Sequence, residues 1–290
     1  RLNLHRATPA PGQTTPLVLW VHGGGWQSGS RAQLPNFALP LLQAGISLAT
    51  LDYRLTSQAG QFGAEAVTFP AQIHDVKAAI RWLRANAGQY QLDANRFAAW
   101  GSSAGGHLTA LLATSGDEPA LEGNVGGNLQ FSSRVRVAVD YFGPTDILNM
   151  VPDVTNPPGA SSNHDLPDSP ESKLIGFDQP GEGIGVLRAN QNNPAEPFPF
   201  FLARISDANP IRWLDQNDPP LFIEHGTADR VVPLRQSTRL RDAALAAGLI
   251  VEYHEAEGVT HNAPGEDINA LARAFLLFHL TDPLHTDGFE

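Results

Sequence analysis

The sequence predicts an α/β fold: a mostly parallel central sheet flanked by helices on both faces, with an irregular insertion or cap. Three observations carry that prediction. Short apolar runs recur along the chain, stretches with helical spacing separate them, and the glycine-rich WGSSAGGHL (Trp100–Leu108) joins one such run to a helical one. Strands separated by helices pair in parallel through crossovers, and the crossovers cover both faces of the sheet.

The predicted strands are Leu17–His22, Ile46–Leu51, Phe97–Trp100, Val135–Tyr141, Leu221–His225 and Ile250–His254. Their near-continuous apolarity implies burial on both sides. RLNLHRA at the start reads as the remainder of an early strand. Ile73, Val76, Ile80 and Leu83 follow the three-and-four spacing of one helix face, a helix is expected over His107–Thr114, and Ile268, Leu271, Phe275 and Phe278 mark another near the end. From Asn149 to Asn209 the chain is crowded with Pro, Gly, Asn and Asp and keeps no period, which marks an insertion or lid within one domain spanning 1–290. Its aromatic residues Phe198, Phe200 and Phe201, with Trp213 just beyond, point to a cap bearing on substrate choice. Shortening Phe177–Asn193 is then expected to alter acyl-chain preference more than melting temperature.

Composition narrows the function. The 290 residues are 42% hydrophobic and 17% charged, enough apolar material for a large core, and the net charge of −11 includes no basic stripe to track phosphates. Nucleic acid is excluded as a partner on those grounds. No apolar run approaches the roughly 20 residues that cross a bilayer, so no membrane partner is expected. With no cysteine there is no disulfide, thiolate metal site or cysteine nucleophile, and composition does not choose between a secreted or periplasmic and a cytoplasmic setting. The chain opens at Arg1 rather than at methionine, which implies a preceding segment, a signal peptide among the options.

Gly101-Ser102-Ser103-Ala104-Gly105 fits G-x-S-x-G between a strand and a helix, the setting in which a sharp turn lifts the central serine clear. Gly101 and Gly105 remove Cβ atoms that would clash at such a turn. A serine that merely caps the helix would use the same residues. VHGGGW (Val21–Trp26) closes an earlier strand with a glycine loop able to aim N–H groups at a developing oxyanion, so Gly24, Gly25 and the N–H of Ala104 are the candidate donors. His22, Trp26 and Ser102 lie beside them as candidate substrate contacts, His22 also suiting a loop brace and Ser102 a structural hydroxyl. A serine nucleophile needs a base, and ten histidines compete for that role. Position selects among them: Asp229 and His261 each follow a late strand, in the order serine, acid, histidine that this architecture uses. His107, four residues after Ser103, suits packing. Arg54 and Asp75 suit a structural pair, and the acidic insertion suits solvated carboxylates better than calcium.

The segments LVLWVHGGGW, LDYRL, HDVKAAIRWLRANAGQYQLDANRFAAWGSSAGGHL, DSPESKLIG, DPPLFIEHGTADRVVP and GVTH together resemble the α/β-hydrolase serine esterases of the hormone-sensitive-lipase-like type. The likeness is strongest to the bacterial acetyl xylan and feruloyl esterases, the BD-FAE-like carboxylesterases, and runs from about Leu17 to Leu280. It implies Ser103 as nucleophile, Asp229 as acid, His261 as base, and an oxyanion hole from Gly24, Gly25 and Ala104. The implied activity is hydrolysis of short acyl or aryl esters, small or linked to polysaccharide, through an acyl-enzyme without metal or organic cofactor. An arylformamidase or serine peptidase would use the same triad. A non-catalytic binding protein would be expected to lack one of its members. Phe177–Leu202 is longer and richer in proline than the family pattern, so substrate choice is the least constrained inference.

Overall fold

The computed structural model describes residues 1–61, 66–116, 118–154, 163–177 and 179–281. Seven strands form one sheet: β1 (Leu2–His5), β2 (Thr15–Val21), β3 (Ser47–Leu51), β4 (Leu92–Ser102), β5 (Val137–Tyr141), β6 (Leu221–Gly226) and β7 (Val251–Ala256), in the order β1-β3-β2-β4-β5-β6-β7. All six apolar runs are strands, and every pairing is parallel except that of β1 with β3. Only β1 comes from the opening segment, where alternating exposure along Leu2–His5 fits an edge strand. β2, by contrast, is buried at every residue, as its unbroken apolar run requires.

In chain order the helices are α1 (Pro40–Gln43), α2 (Ala71–Ala85), α3 (Ala87–Tyr90), α4 (Ala104–Thr114), α5 (Pro119–Glu122), α6 (Pro170–Ile175), α7 (Ile184–Ala189), α8 (Phe198–Ala208), α9 (Leu234–Ala246) and α10 (Glu266–Thr281). α2 turns Ile73, Val76, Ile80 and Leu83 into the main core, as their spacing demands. α10 departs from its expected stripe, since Leu271 and Phe278 are exposed while Ala272, Phe275, Leu276 and Leu280 face the sheet. The helix carries apolar residues on more than one side, and packing beside Trp100 and Tyr141 chose among them.

The segment expected to lack regular structure contains α6, α7 and α8. Leu174, Ile175, Ile184, Leu187, Ile205 and Ala208 join the same core cluster as β2 and α2. Phe177, Ile184 and Leu187 are 5%, 0% and 1% exposed, so shortening Phe177–Asn193 would take side chains out of the core. The expectation that such a deletion spares thermal stability is therefore corrected.

The chain moves from β2 to β3 on one side of the sheet and from β4 to β5 on the other. The loops leaving β2 and β4 thus diverge, which opens a crevice at the carboxyl ends of those strands, the usual ligand position in such sheets.

Candidate active site

At the tip of β4, Ser103 adopts φ 55° and ψ −126°, a left-handed backbone strained for a side chain with a Cβ. Close packing holds it there. Its N–H donates to the Tyr141 carbonyl at 2.9 Å, its carbonyl accepts from the His107 N–H at 3.0 Å, and a Cβ on Gly105 would strike the backbone of Val21 and His22. Ser103 stands at the N-cap of α4, yet its side chain makes no capping hydrogen bond. The hydroxyl instead donates to His261 Nε2 at 2.9 Å.

His261 Nδ1–H donates to Asp229 Oδ2 at 2.7 Å. Because a carboxylate can only accept, that bond fixes the tautomer and leaves Nε2 free to take a proton from Ser103. The other carboxylate oxygen, Oδ1, accepts the N–H groups of Val231 and Val232 at 2.7 and 3.0 Å. Burial alone would push the Asp229 carboxyl up; hydrogen bonds from His225 and His261 outweigh it and hold the group well below the usual carboxylate range. His225 is a participant that the sequence did not reveal. Fully buried, it donates from Nε2 to the Val232 carbonyl at 2.9 Å, lies 3.4 Å from Asp229 Oδ2, and accepts at Nδ1 from Ser237 at 2.8 Å. It secures the loop that carries the acid. Its position four residues before Asp229 was the available signal.

Gly24 and Gly25 have φ values of 111° and 58°, and a Cβ on Gly24 would collide with the backbone of Ser28. Their N–H groups and that of Ala104 make no backbone hydrogen bond among the described residues. All three residues line one cavity of about 750 Å³ with Ser102, Ser103 and His261. His22 lines it too, with Nδ1 donating to the Gly23 carbonyl at 2.8 Å and its ring stacked on Tyr53 at 4.3 Å. Burial lowers its pKa. Trp26 borders the cavity, but it is only 1% exposed and its indole N–H donates to His107 Nδ1 at 3.2 Å. His107 in turn donates from Nε2 to the Ala208 carbonyl at 2.7 Å, tying α4 to the end of α8, and burial pushes its pKa down to about 4. Arg54 binds Asp75 through its backbone and guanidinium N–H groups, both at 2.8 Å.

The other cavity wall comes from 163–171: Asn163, His164, Pro170 and Glu171. Phe198, Phe200, Phe201 and Trp213, the aromatics expected to bear on substrate, are not among the lining residues. Phe142 lines it as well, its ring meeting that of His261 edge-on at 4.8 Å from a left-handed backbone, φ 44°. No group of three or more metal-ligating side chains occurs among the described residues, and none of their helices is long and apolar enough to cross a membrane.

The BD-FAE family model matches residues 4–244. The chain belongs to the BD-FAE family. Among its relatives is esterase LipQ of Mycobacterium tuberculosis, 30% identical over 258 residues that cover 87% of this chain and 51% of LipQ. The chain thus spans about half the length of that relative. Among solved structures, a truncated carbohydrate esterase from gut microbiota superposes with a TM-score of 0.76 at 25% identity, covering 97% of this chain and 91% of the other. A bifunctional GH43-CE protein of Bacteroides eggerthii gives a TM-score of 0.76 at 31% identity, with 96% of this chain on 36% of the other. BD-FAE membership accords with the seven-stranded, mostly parallel sheet and makes this an α/β-hydrolase fold.

Proposed function

We propose that the chain is a serine carboxylesterase cleaving short acyl esters, with a carbohydrate as the alcohol. The observation that carries the reading is the unbroken chain from Ser103 Oγ to His261 Nε2 and from His261 Nδ1 to Asp229, at 2.9 and 2.7 Å. Ser103 Oγ attacks the ester carbonyl carbon while His261 Nε2 takes the hydroxyl proton. The tetrahedral oxyanion receives the N–H groups of Gly24, Gly25 and Ala104, assisted by the positive end of α4. As the intermediate collapses, the C–O bond to the alcohol breaks and His261 returns its proton to the leaving oxygen. Water then attacks the acyl-enzyme under the same base and frees the acid. Asp229 stays ionised throughout, orienting the imidazole and stabilising its protonated form.

Support for the alcohol comes from the names of its relatives, a carbohydrate esterase and a bifunctional GH43-CE protein. The choice of short acyl groups rests on the resemblance to the BD-FAE-like esterases, and the cavity of about 750 Å³ has room for acyl group and alcohol together. The test is Ser103→Ala against Ser102→Ala with p-nitrophenyl acetate. Ser103→Ala should keep its melting temperature and lose at least about a thousandfold in turnover, and Ser102→Ala should retain most activity. Turnover surviving in Ser103→Ala would end the reading.

A further inference from the structure

His164 and Glu171 form a buried pair and are among the residues that line the same cavity as Ser103. His164 Nδ1 lies 2.9 Å from Glu171 Oε1, and the two residues are 6% and 3% exposed. Local structure holds each in place: Ser169 Oγ donates to the His164 carbonyl at 2.9 Å, and Glu171 is in the first turn of α6, which Ser169 caps at 3.0 Å. Glu171 Oε2 nevertheless has no hydrogen bond, and His164 Nε2 has none of ordinary geometry, although the Val231 carbonyl approaches the ring. Burying such atoms unpaired costs stability, and native proteins seldom leave them so without a use. An ion pair is a poor choice for stability alone, because apolar residues of similar size serve as well or better.

The pair therefore has a chemistry left over. Burial would lower the His164 pKa, but the hydrogen bond to Glu171 and its negative charge, with the Val231 carbonyl and Asp165, outweigh it and raise the group above a free imidazole, which eases protonation of the ring. A charged His164 offers an N–H donor at Nε2, and Glu171 offers an acceptor at Oε2. An alcohol hydroxyl can satisfy both kinds of group, since it accepts and donates at once. A carboxylate on the substrate would meet Glu171 as a like charge. An apolar alcohol would leave both atoms unpaired.

We propose that His164 and Glu171 are a specificity-determining subsite that binds a free hydroxyl on the alcohol half of the ester, close to the acylated oxygen. This rests on the esterase reading above. A site built around a hydroxyl discriminates strongly against the analogue that lacks it, because its own polar groups are then stranded.

The experiment compares two acetate esters on one ring, trans-cyclohexane-1,2-diol monoacetate and cyclohexyl acetate, each kcat/KM divided by the rate of hydroxide hydrolysis. The wild-type protein should favour the diol ester by about tenfold or more. Glu171→Gln and His164→Gln, each checked for an unchanged circular dichroism spectrum, should cut that ratio about tenfold, mostly through KM. A wild-type ratio near one overturns the proposal without needing any variant to fold. So does a ratio that persists in folded variants, which would make the pair purely structural. A stronger preference for 2-acetoxycyclohexanecarboxylate would overturn it in favour of charge recognition. Acetate release by Ser103→Ala would instead point to failure of the esterase reading, a different and separable outcome.

Discussion

Asp229 meets four donors with two oxygens, and the division of labour between those oxygens decides what a substitution does. Oδ1 is occupied by the Val231 and Val232 N–H groups, so an Asn would place its carbonyl there and turn its amide towards His261 and His225. Two donors would then face each other. His261 could relieve the clash only by moving its proton to Nε2, which abolishes acceptance from Ser103. Asp229→Asn should therefore lower kcat on the order of 10⁴-fold while KM stays within a few fold. Steady-state kinetics on p-nitrophenyl acetate decide it, and a raised KM with kcat intact would mean that Asp229 shapes the cavity instead. The triad was legible because its residues obey a fixed order and each follows a strand's end: G-x-S-x-G names Ser103, and Asp229 and His261 stand in the last two such loops. His225, Phe142 and the His164–Glu171 pair were not legible. Their roles depend on distances across β5, β6 and the 163–171 wall, and local spacing hints at one of them alone, His225, four residues before Asp229.

Elements were legible in proportion to how far burial repeated a period. β2 to β7 announced themselves through mostly apolar runs, although β7 proves only partly buried, and α2 through a stripe that only a helix could bury. α6 and α7, six residues each, are too short to show a period among their prolines and glycines, so their region read as irregular. α8 is longer, but its aromatic-rich start hid the helix behind Pro197 and Pro199. α2 also carries two features its stripe did not disclose, the buried cations Lys77 and Arg81, whose side chains are 0% and 1% exposed. Both bind the Glu122 carboxylate of α5, Lys77 at 2.8 Å and Arg81 at 2.5 Å, with Lys77 also donating to the Ser115 carbonyl. Their desolvation is offset by that carboxylate, so one side chain fastens α5 to α2. Glu122→Ala should destabilise the fold by about 3–5 kcal/mol, because it deprives two buried cations of their partner. Melting temperature should fall on the order of 10 °C. Glu122→Gln, which keeps two polar atoms in place, should fall less, and equal losses would show that packing rather than charge makes the joint.

Across the whole molecule, the sheet that positions the triad also buries two acids that take no part in it. Asp140 on β5 and Glu224 on β6 are 1% and 0% exposed; Asp140 accepts the Gly143 N–H at 2.9 Å, and neither Glu224 oxygen has a partner. Burial pushes Asp140 up to about 7, and burial with the negative charges of Asp140 and Asp229 pushes Glu224 up to about 8. Both values lie above those of an unfolded chain, roughly 4. The folded protein therefore holds protons that the unfolded chain has released, and stability from these groups declines as pH rises from about 4 towards 8. Other groups complicate the raw profile. His22, His74 and His107, whose pKa values burial lowers, bind protons more readily when unfolded and tilt the curve the opposite way below about 6.5. Glu224→Gln cancels that background, since the histidines are common to both proteins. Below about pH 4, where Glu224 is protonated in the folded and the unfolded chain alike, the two melting temperatures should differ by a constant offset. Between about pH 5 and 8 the variant should gain steadily on the wild type, then hold its lead once Glu224 has ionised in both states. Thermal melts of the pair across that range measure the slope directly. A difference that stays flat would mean that Glu224 already carries its charge at neutral pH, matched by a partner that the fold supplies.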